Sequence, residues 1–385
     1  MRNSVLIRNC RLYNSLIEQD LADILIEGKV IKQIEKLGEE VTAETIIDAG
    51  GRLVTPGFID IHIQGAGGAD ILDNSLDSLE RMSQTLARTG TTAFLGTTVV
   101  KPEEENRHLK LCREYVGRSL GGAMLLGFHL EGPFINFNKK GGLNPTGIYA
   151  PSEEKLQEIL DILQGTLKMM TIAPELPGNL ELIKQLTSQG VIASFAHSEA
   201  DYEETLRGFE AGISHVTHIF NAMRPISHRN PGPLPAIFEQ QGITAQIISD
   251  GHHIHPSIVN MLYKLLGKEG CICITDGMPG IGLPEGSYLY NGKEYESKQG
   301  AARYLDGTLI GSTMSLPDIT MKFMEFTGCS LESAVNAATI NPARLLKIED
   351  RKGSIEPGKD ADIVIFDGDK SVFTTLINGQ VAYQK

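Results

Sequence analysis

Two patterns of hydrophobic and polar positions alternate along the chain. The first 55 residues and the last 30 contain short runs rich in β-branched residues. One pair of runs, within residues 23–31, flanks Gly28-Lys29, which is typical of a β-hairpin. We therefore predict that the two ends of the chain pair as one small β-domain.

The stretch between the ends alternates short apolar runs with segments of helical spacing. Helices are predicted to begin near Pro151, Ser198 and His255, and the last two to end near Gly212 and Gly267. The apolar runs predicted as strands are residues 58–61, 92–95, 124–128, 191–195, 245–248 and 271–274. Repeated strand-then-helix units are typical of a parallel α/β fold.

The predicted architecture is a (β/α)8 TIM-type barrel, with a doubly wound sheet as the alternative. The barrel would span residues 56–344, and a small β-sandwich domain would be formed by residues 1–55 and 345–385.

Composition narrows the classes of partner. The 385 residues are 41% hydrophobic and 22% charged, an ordinary globular mixture. The net charge of −13 argues against nucleic acid or an anionic membrane as a partner. No apolar run approaches the roughly 20 residues of a membrane span. Because Arg8 and Asn9 interrupt the first apolar run, we expect no signal peptide and a cytoplasmic protein.

The five cysteines suggest no disulfide framework. Cys271 and Cys273 are two residues apart in a predicted strand, so their side chains would face the same side. We predict a buried pair of thiols there, with a metal site as the alternative.

Polar residues suited to metal or proton chemistry end many of the apolar runs. They are His62, His129, Glu131, His197, His218, Asp250 and Asp276. The carboxyl ends of parallel barrel strands open onto one face, so these side chains are expected to converge. Glu131, His197 and His218 form a plausible set of three ligands for zinc or iron. A single histidine at a strand end is more often held only by hydrogen bonds, so the prediction depends on the three residues occurring together at successive strand ends.

Asp276 is the candidate general base beside this metal set, since a carboxylate there can accept a proton from water and return it to a leaving group. A helix N-cap is the alternative for Asp276. Arg229, in a loop, either binds an anion or is a solvated surface residue. His108 lies in a charged stretch and is expected to be exposed to solvent.

At these residues the chain resembles the N-acetylglucosamine-6-phosphate deacetylases of the amidohydrolase superfamily, essentially from end to end. The similar motifs are Pro-Gly-Phe-Ile-Asp at 56–60, His-Leu-Glu-Gly-Pro-Phe at 129–134, Ala-His-Ser at 196–198, Thr-His-Ile-Phe-Asn-Ala-Met at 217–223, Asp-Gly-His-His at 250–253, Thr-Asp at 275–276, Gly-Thr-Leu-Ile-Gly-Ser at 307–312 and Gly-Lys-Asp-Ala-Asp at 358–362. The first of these is general to amidohydrolases, whereas the motifs at 131–133 and 217–223 are much more specific.

The resemblance implies one divalent metal per chain, zinc with iron or manganese as alternatives, held by Glu131, His197 and His218. It also implies that Asp276 is the general base and acid. The substrate-binding positions implied by the resemblance are Gly142, Leu143, Asn221, Ala222, Arg229, His253, Leu309 and Gly311. The implied protein is a homodimer in which Arg229 reaches the neighbouring subunit's site. The implied reaction, which is the leading function, is hydrolysis of the 2-acetamido group of N-acetylglucosamine 6-phosphate to give glucosamine 6-phosphate and acetate.

Two departures from the family pattern bear on the site. Where many relatives have His-x-His, this chain has His62-Ile63-Gln64, so His62 and Gln64 could contact either a second metal or the substrate. Leu143 stands where the family usually has a histidine, which puts the acyl-group preference in question.

Three alternatives to the leading function stay open at this point. One is the same reaction on N-acetylgalactosamine 6-phosphate or another N-acyl amino-sugar phosphate. A second is a cyclic amidohydrolase such as a dihydroorotase or hydantoinase. The third is a sugar-phosphate-binding barrel without catalytic activity.

Overall fold

The computed structural model describes residues 4–14 and 20–385. Its strands are β1 (Ser4–Leu12), β2 (Ala22–Glu27), β3 (Val30–Glu35), β4 (Thr45–Asp48), β5 (Leu53–Pro56), β6 (Phe58–Ile63), β7 (Gly65–Ala66), β8 (Ala69–Asp70), β9 (Thr91–Thr98), β10 (Met124–Glu131), β11 (Leu167–Ile172), β12 (Ile192–Phe195), β13 (His215–Val216), β14 (Thr244–Ile247), β15 (Cys271–Cys273), β16 (Gly286–Tyr290), β17 (Lys293–Lys298), β18 (Ala301–Tyr304), β19 (Leu309–Ser312), β20 (Ile363–Phe366), β21 (Val372–Ile377) and β22 (Gln380–Gln384).

The α-helices are α1 (Leu76–Arg88), α2 (Arg107–Cys112), α3 (Glu153–Leu163), α4 (Asn179–Ser188), α5 (Tyr202–Ala211), α6 (Pro233–Glu239), α7 (Pro256–Gly270), α8 (Leu316–Thr327), α9 (Leu331–Ala337) and α10 (Ile340–Leu345). Short 3₁₀ helices lie at Ile71–Asp73, Pro102–Glu104, Arg113–Tyr115, Phe137–Lys139 and Pro145–Gly147.

Eight parallel strands form the central barrel, in the order β6, β9, β10, β11, β12, β13, β14 and β15. The sheet closes just beyond β15, where the Asp276 N–H donates to the His62 carbonyl (3.0 Å) and Ile63 bridges to Gly277. The predicted barrel is confirmed, and the doubly wound alternative is wrong. Strands β6 and β9 are buried along their whole length, as expected for parallel strands covered by helices outside and side chains inside.

The two ends of the chain meet in a small β-domain, as predicted. Strand β5 pairs antiparallel with β20, so that Pro56 lies opposite Ile363, and the sheet continues through β1 to β3 on one side and to β22 on the other. This pairing joins residues about 300 positions apart and fixes the start of the barrel against its end. The domain bounds of 1–55, 56–344 and 345–385 remain a prediction.

The helices begin within a few residues of the predicted starts at Pro151, Ser198 and His255. Ser152 caps α3 by accepting from the Lys155 N–H (3.2 Å), and Asp201 rather than Ser198 caps α5. Gly267 adopts a non-helical φ of 71° and ψ of 172°, so the regular part of α7 is interrupted there, where its end was predicted, and a short second helical stretch follows to Gly270.

Cys271 and Cys273 are buried free thiols on β15. Among the described residues, they do not belong to any cluster of side chains that could hold a metal.

The expectation of a solvated His108 is wrong. It is 1% exposed and its Nε2–H donates to the Val99 carbonyl (3.0 Å). Within residues 4–14 and 20–385, no helix has the length and apolar character to cross a membrane.

An antiparallel sheet of β16, β17, β18 and β19 is inserted between β15 and α8. It lies over the carboxyl end of the barrel, because Met278 N–H donates to Ser312 O (2.9 Å) and Gly277 bridges to Ser312. The insertion therefore supplies one wall of whatever site the strand ends form.

Candidate metal centre and active site

The polar residues predicted at the strand ends converge at the carboxyl end of the barrel. Glu131 is the last residue of β10, while His197 and His218 each lie two residues beyond β12 and β13. Asp276 lies three residues beyond β15. These four residues are buried and line one cavity of about 170 Å³.

Glu131, His197 and His218 meet at a single point. Glu131 Oε1 lies 2.9 Å from Nε2 of each histidine, and the two Nε2 atoms are 3.1 Å apart. Among the described residues this is the one group of three or more metal-ligating side chains whose donor atoms all lie within 4.8 Å of one another.

The orientation of His197 explains why a cation fits there. Its Nδ1 lies 2.7 Å from the Lys139 carbonyl oxygen, an acceptor, so Nδ1 carries the proton and Nε2 of the neutral ring carries a lone pair. That lone pair faces a carboxylate and a second imidazole nitrogen, an arrangement that needs a positive charge at its centre. Ligands at about 2.1 Å in tetrahedral geometry would lie about 3.4 Å apart, close to the spacing seen here.

The ionisation of the cluster agrees with its geometry. Burial acts to raise the pKa of Glu131. When Nε2 of His197 and Nε2 of His218 carry protons in place of a cation, the hydrogen bonds that they donate to Glu131 outweigh burial and hold that pKa well below its usual range. Burial acts to lower the pKa of His218, and the Glu131 carboxylate outweighs it in the opposite direction. Glu131 is therefore a carboxylate, the form in which it can bind a metal. The donor set of one carboxylate and two imidazoles suits zinc, iron or manganese.

Asp276 lies beside the cluster, held at one of its oxygens. Gln64 Nε2 is 2.9 Å from Asp276 Oδ1, and His62 Nε2 is 3.3 Å from the same oxygen. The other oxygen, Oδ2, lies 3.7 Å from His253 Nε2. A carboxylate so placed, 8% exposed within the cavity, can exchange protons with a ligand bound there.

His253 is itself held by Asp250. Asp250 Oδ2 lies 2.6 Å from His253 Nδ1, which directs Nε2 of the ring toward the cavity. Burial acts to raise the pKa of Asp250, but its hydrogen bond with His253 outweighs burial and the pKa is lowered. Asp250 is therefore an anion that favours the Nδ1–H form of the ring.

His62 is held in place by a hydrogen bond to Gln246 of β14. Its Nδ1 lies 2.8 Å from Gln246 Oε1, and the same oxygen accepts the His218 N–H (3.2 Å). Gln246 thus joins His62 to the segment that carries His218. It was not singled out from the sequence, although a glutamine inside the apolar run of β14 is a visible anomaly.

Several site residues have strained backbones. His197, His218 and Asp276 have φ values of 49°, 27° and 47°, in the left-handed region that non-glycine residues avoid. Each costs of order 1 kcal/mol or more, a cost that clusters at functional sites in proteins. The hydrogen bonds across the barrel closure hold Asp276 in this conformation.

The predicted substrate positions fall in three groups. Those that line the cavity are Gly142, Leu143, Asn221, Ala222, His253 and Leu309. Gly311 does not line it but packs behind it, where a Cβ would lie 2.4 Å from the Asp276 carbonyl oxygen. Arg229 lies outside, in an exposed loop beside Asp201, Tyr202 and Glu203.

Three further residues line the cavity without having been predicted, namely Gly141, Tyr290 and Ile310. With Leu143 and Leu309, Tyr290 and Ile310 make its apolar side. Tyr290 comes from the inserted sheet, and no sequence pattern could indicate that this strand folds back over the barrel.

Comparison with known proteins agrees with this architecture. The family model described as the amidohydrolase family matches residues 53–382. The barrel and the cluster at its strand ends thus define a class of protein. The chain belongs to the amidohydrolase family.

The particular relatives are more specific. The chain is 36% identical to N-acetylglucosamine-6-phosphate deacetylase of Bacillus subtilis (strain 168), over 100% of this chain and 98% of that protein. It is 33% identical to N-acetylgalactosamine-6-phosphate deacetylase of Escherichia coli O157:H7, over 93% of each. The structure of an N-acetyl-D-glucosamine-6-phosphate deacetylase mutant from Mycobacterium smegmatis matches with a TM-score of 0.89 and 29% identity, over 99% of this chain and 100% of that one. The resemblance drawn from the sequence motifs is confirmed.

Proposed function

We propose that this protein hydrolyses the 2-acetamido group of N-acetylglucosamine 6-phosphate, giving glucosamine 6-phosphate and acetate. The observation that carries the proposal is that the Glu131–His197–His218 cluster and the Asp276 carboxylate share one small buried cavity. Amide hydrolysis needs an electrophile for the acyl carbonyl and a base for the attacking water, and this cavity contains residues for both.

Glu131, His197 and His218 would hold one divalent metal, with zinc as our first choice and iron or manganese as alternatives. When bound, the metal supplies Lewis acidity toward the acyl carbonyl and the attacking water. Lys139 orients His197 through its carbonyl oxygen, and Gln246 fixes the backbone of His218, so both rings keep Nε2 toward the common point.

Asp276 performs the proton transfers. Its carboxylate accepts a proton from the attacking water, and the same proton is then delivered to the departing amine nitrogen. His253, with its Nδ1–H directed at Asp250, places Nε2 3.7 Å from the free oxygen of Asp276 and contributes an acceptor near the substrate. Because the amine leaves only when protonated, loss of the Asp276 proton shuttle should slow turnover strongly.

The cavity wall separates the polar and apolar parts of the substrate. Leu143, Tyr290 and Ile310 provide the apolar side, and the acyl methyl group is expected to lie there. Asn221 and His253 provide polar groups for the sugar and its phosphate.

Arg229 is proposed to complete the phosphate site of a second subunit. None of the described residues that line the cavity is a lysine or arginine, although the substrate carries a phosphate. Arg229 is on an exposed loop outside its own cavity, a placement that supports a homodimer in which the loop enters the neighbouring site. An Arg229→Ala variant that raises KM while the protein remains dimeric would support this arrangement, and an unchanged KM would contradict it.

A cytoplasmic location is part of the proposal. All five cysteines are free thiols, the state that a reducing compartment maintains, and sugar phosphates are intracellular metabolites.

The test is acetate release from purified protein, with metal content measured on the same sample. The galactosamine epimer is assayed in parallel, because one relative is an N-acetylgalactosamine-6-phosphate deacetylase. We expect turnover with about one metal per chain, and a loss of roughly 10²- to 10⁴-fold in kcat for Asp276→Asn. Metal-loaded protein that releases no acetate from either epimer would contradict the proposal.

A further inference from the structure

Gln64 occupies the junction at which the barrel closes. It directly follows β6, and its backbone N–H donates to the Gly277 carbonyl (2.8 Å), on the residue after Asp276. The side chain is 5% exposed and borders the cavity. The Gln64 amide is therefore held beside Asp276 by the backbone as well as by side-chain contacts.

The direction of the Gln64 amide is determined by its neighbours. Nε2 lies 2.9 Å from Asp276 Oδ1, and a carboxylate can only accept, so the amide nitrogen must face it. The second N–H of the same group points at His62 Nε2, 3.4 Å away. That nitrogen is free to accept, because His62 donates through Nδ1 to Gln246 Oε1 (2.8 Å). The Gln64 amide thus donates in two directions, to Asp276 on one side and to His62 on the other, and His62 in turn donates to Gln246.

This orientation of the amide leaves the Gln64 carbonyl oxygen unsatisfied. Oε1 is buried and has no hydrogen-bond partner among residues 4–14 and 20–385. Buried side-chain oxygens are nearly always paired in folded proteins, so an exception calls for a functional reason.

We propose that Gln64 is a positioning residue for Asp276, an inference that rests on the proposed deacetylase function. By donating to Oδ1, the Gln64 amide fixes the carboxylate plane and keeps Oδ1 out of proton transfer. Oδ2 is then the oxygen that takes the proton from water and returns it to the amine nitrogen. Gln64 acts through Asp276 and has no contact of its own with the reacting atoms.

A double-mutant cycle tests this inference on the whole, metal-loaded protein. Gln64→Leu removes the donor and roughly keeps the volume. We expect kcat to fall roughly 10- to 100-fold, as is typical when a group that orients a catalytic residue is lost, with KM within about threefold and metal content unchanged. In an Asp276→Asn background, Gln64→Leu should change the residual rate less than about twofold, because its effect passes through Asp276. An N-trifluoroacetyl substrate, whose amide is weaker, keeps that residual rate measurable.

The control is Thr171→Val. Thr171 Oγ1 is hydrogen-bonded to His129 (2.8 Å) and Thr217 (2.9 Å) inside the barrel, without contact to Asp276. Loss of the Thr171 hydroxyl removes buried hydrogen bonds, as Gln64→Leu does. The kcat of Thr171→Val should nevertheless stay within about threefold of the wild-type value. Should Gln64→Leu fold poorly, Gln64→Met keeps the length of the side chain and removes the donor, and the same kinetic pattern is expected.

Three results would overturn the inference. The first is an unchanged kcat for Gln64→Leu. The second is an equal loss of kcat in the wild-type and Asp276→Asn backgrounds, as expected of a general structural defect. The third is a loss of bound metal in parallel with the loss of activity. A crystal structure of the Gln64→Leu protein tests the geometry without turnover, since the Asp276 carboxylate should rotate, and an unmoved carboxylate would also contradict the inference. Wild-type protein that releases no acetate would instead refute the proposed function. In that case, rotation of the Asp276 carboxylate in the Gln64→Leu crystal structure would decide whether Gln64 positions Asp276.

Discussion

The Nε2 atoms of His197 and His218 lie 3.1 Å apart, although the two residues come from different strands of the barrel. Their rings are nearly perpendicular, with an interplanar angle of 77°, so they do not stack. Each is also 2.9 Å from the same oxygen of Glu131. Two imidazoles and a carboxylate directed at one point are suited to holding a cation.

Loss of one imidazole should therefore remove the metal. Loss of a residue that only hydrogen-bonds to a metal ligand typically lowers metal affinity roughly 10- to 100-fold. Because His218 is a proposed ligand itself, we expect a larger fall for His218→Ala, with a matching loss of acetate release. Metal content after dialysis is the measurement. His252→Ala is the control, because His252 is exposed and lies outside the cavity. Retention of one metal per chain by the His218 variant would be incompatible with the assignment of this ligand.

Metal removal should also lower the thermal stability of the protein. The cluster binds the cation only in the folded state, so metal present at about 100 times its Kd adds roughly 3 kcal/mol to the free energy of unfolding. We expect the Tm to fall on treatment with chelator and to return on addition of Zn²⁺. The Glu131→Gln variant should lose most of this response, and an equal Tm shift in that variant would place the stabilising metal elsewhere.

The apolar side of the cavity should control catalytic efficiency toward the acyl group. Leu143→Asn keeps the branched shape of the side chain but replaces the apolar surface expected to contact the acyl methyl group with a polar carboxamide. Loss of such a contact changes kcat/KM by about tenfold. Leu305→Asn serves as the matched control, because Leu305 is 75% exposed on the inserted sheet. Equal kcat/KM values for wild type and the Leu143 variant would mean that the acyl group binds elsewhere.

Protonation of His108 should contribute to acid denaturation. Burial lowers the pKa of His108 from 6.5 to about 4, and its buried Nδ1 has no partner among the described residues that could accept a second N–H. In the unfolded chain this histidine is protonated below about pH 6.5, whereas in the folded protein it stays neutral down to about pH 4. The free energy of unfolding therefore decreases as the pH falls from about 6.5 to 4. The loss amounts to roughly 3 kcal/mol over that range.

Unfolding by denaturant at several pH values measures this effect. His108→Gln, which cannot be protonated in this range, should show a shallower decline of the free energy of unfolding between pH 6.5 and 4 than wild type. His228→Gln changes an exposed histidine and should follow the wild-type curve. Identical curves for all three proteins would show that His108 is not responsible.

The sequence alone determined the barrel, the small β-domain built from both ends and the set of polar residues that meet at the carboxyl ends of the strands. These follow from local rules, because apolar runs bounded by helix caps specify strand and helix order, and parallel strands place their carboxyl ends on one face. Glu131, His197, His218 and Asp276 could therefore be predicted to converge before any distance was known.

Only the tertiary structure decided which atoms meet and how they are oriented. Burial of His108, the link from Gln246 to His62, the contact of Gln64 with Asp276 and the approach of Tyr290 from the inserted sheet all join residues distant along the chain. Such contacts depend on register, side-chain rotamers and barrel closure, which hydrophobic periodicity does not encode. The strained backbones at His197, His218 and Asp276 have the same origin, since the packed barrel imposes conformations that their local sequences would avoid.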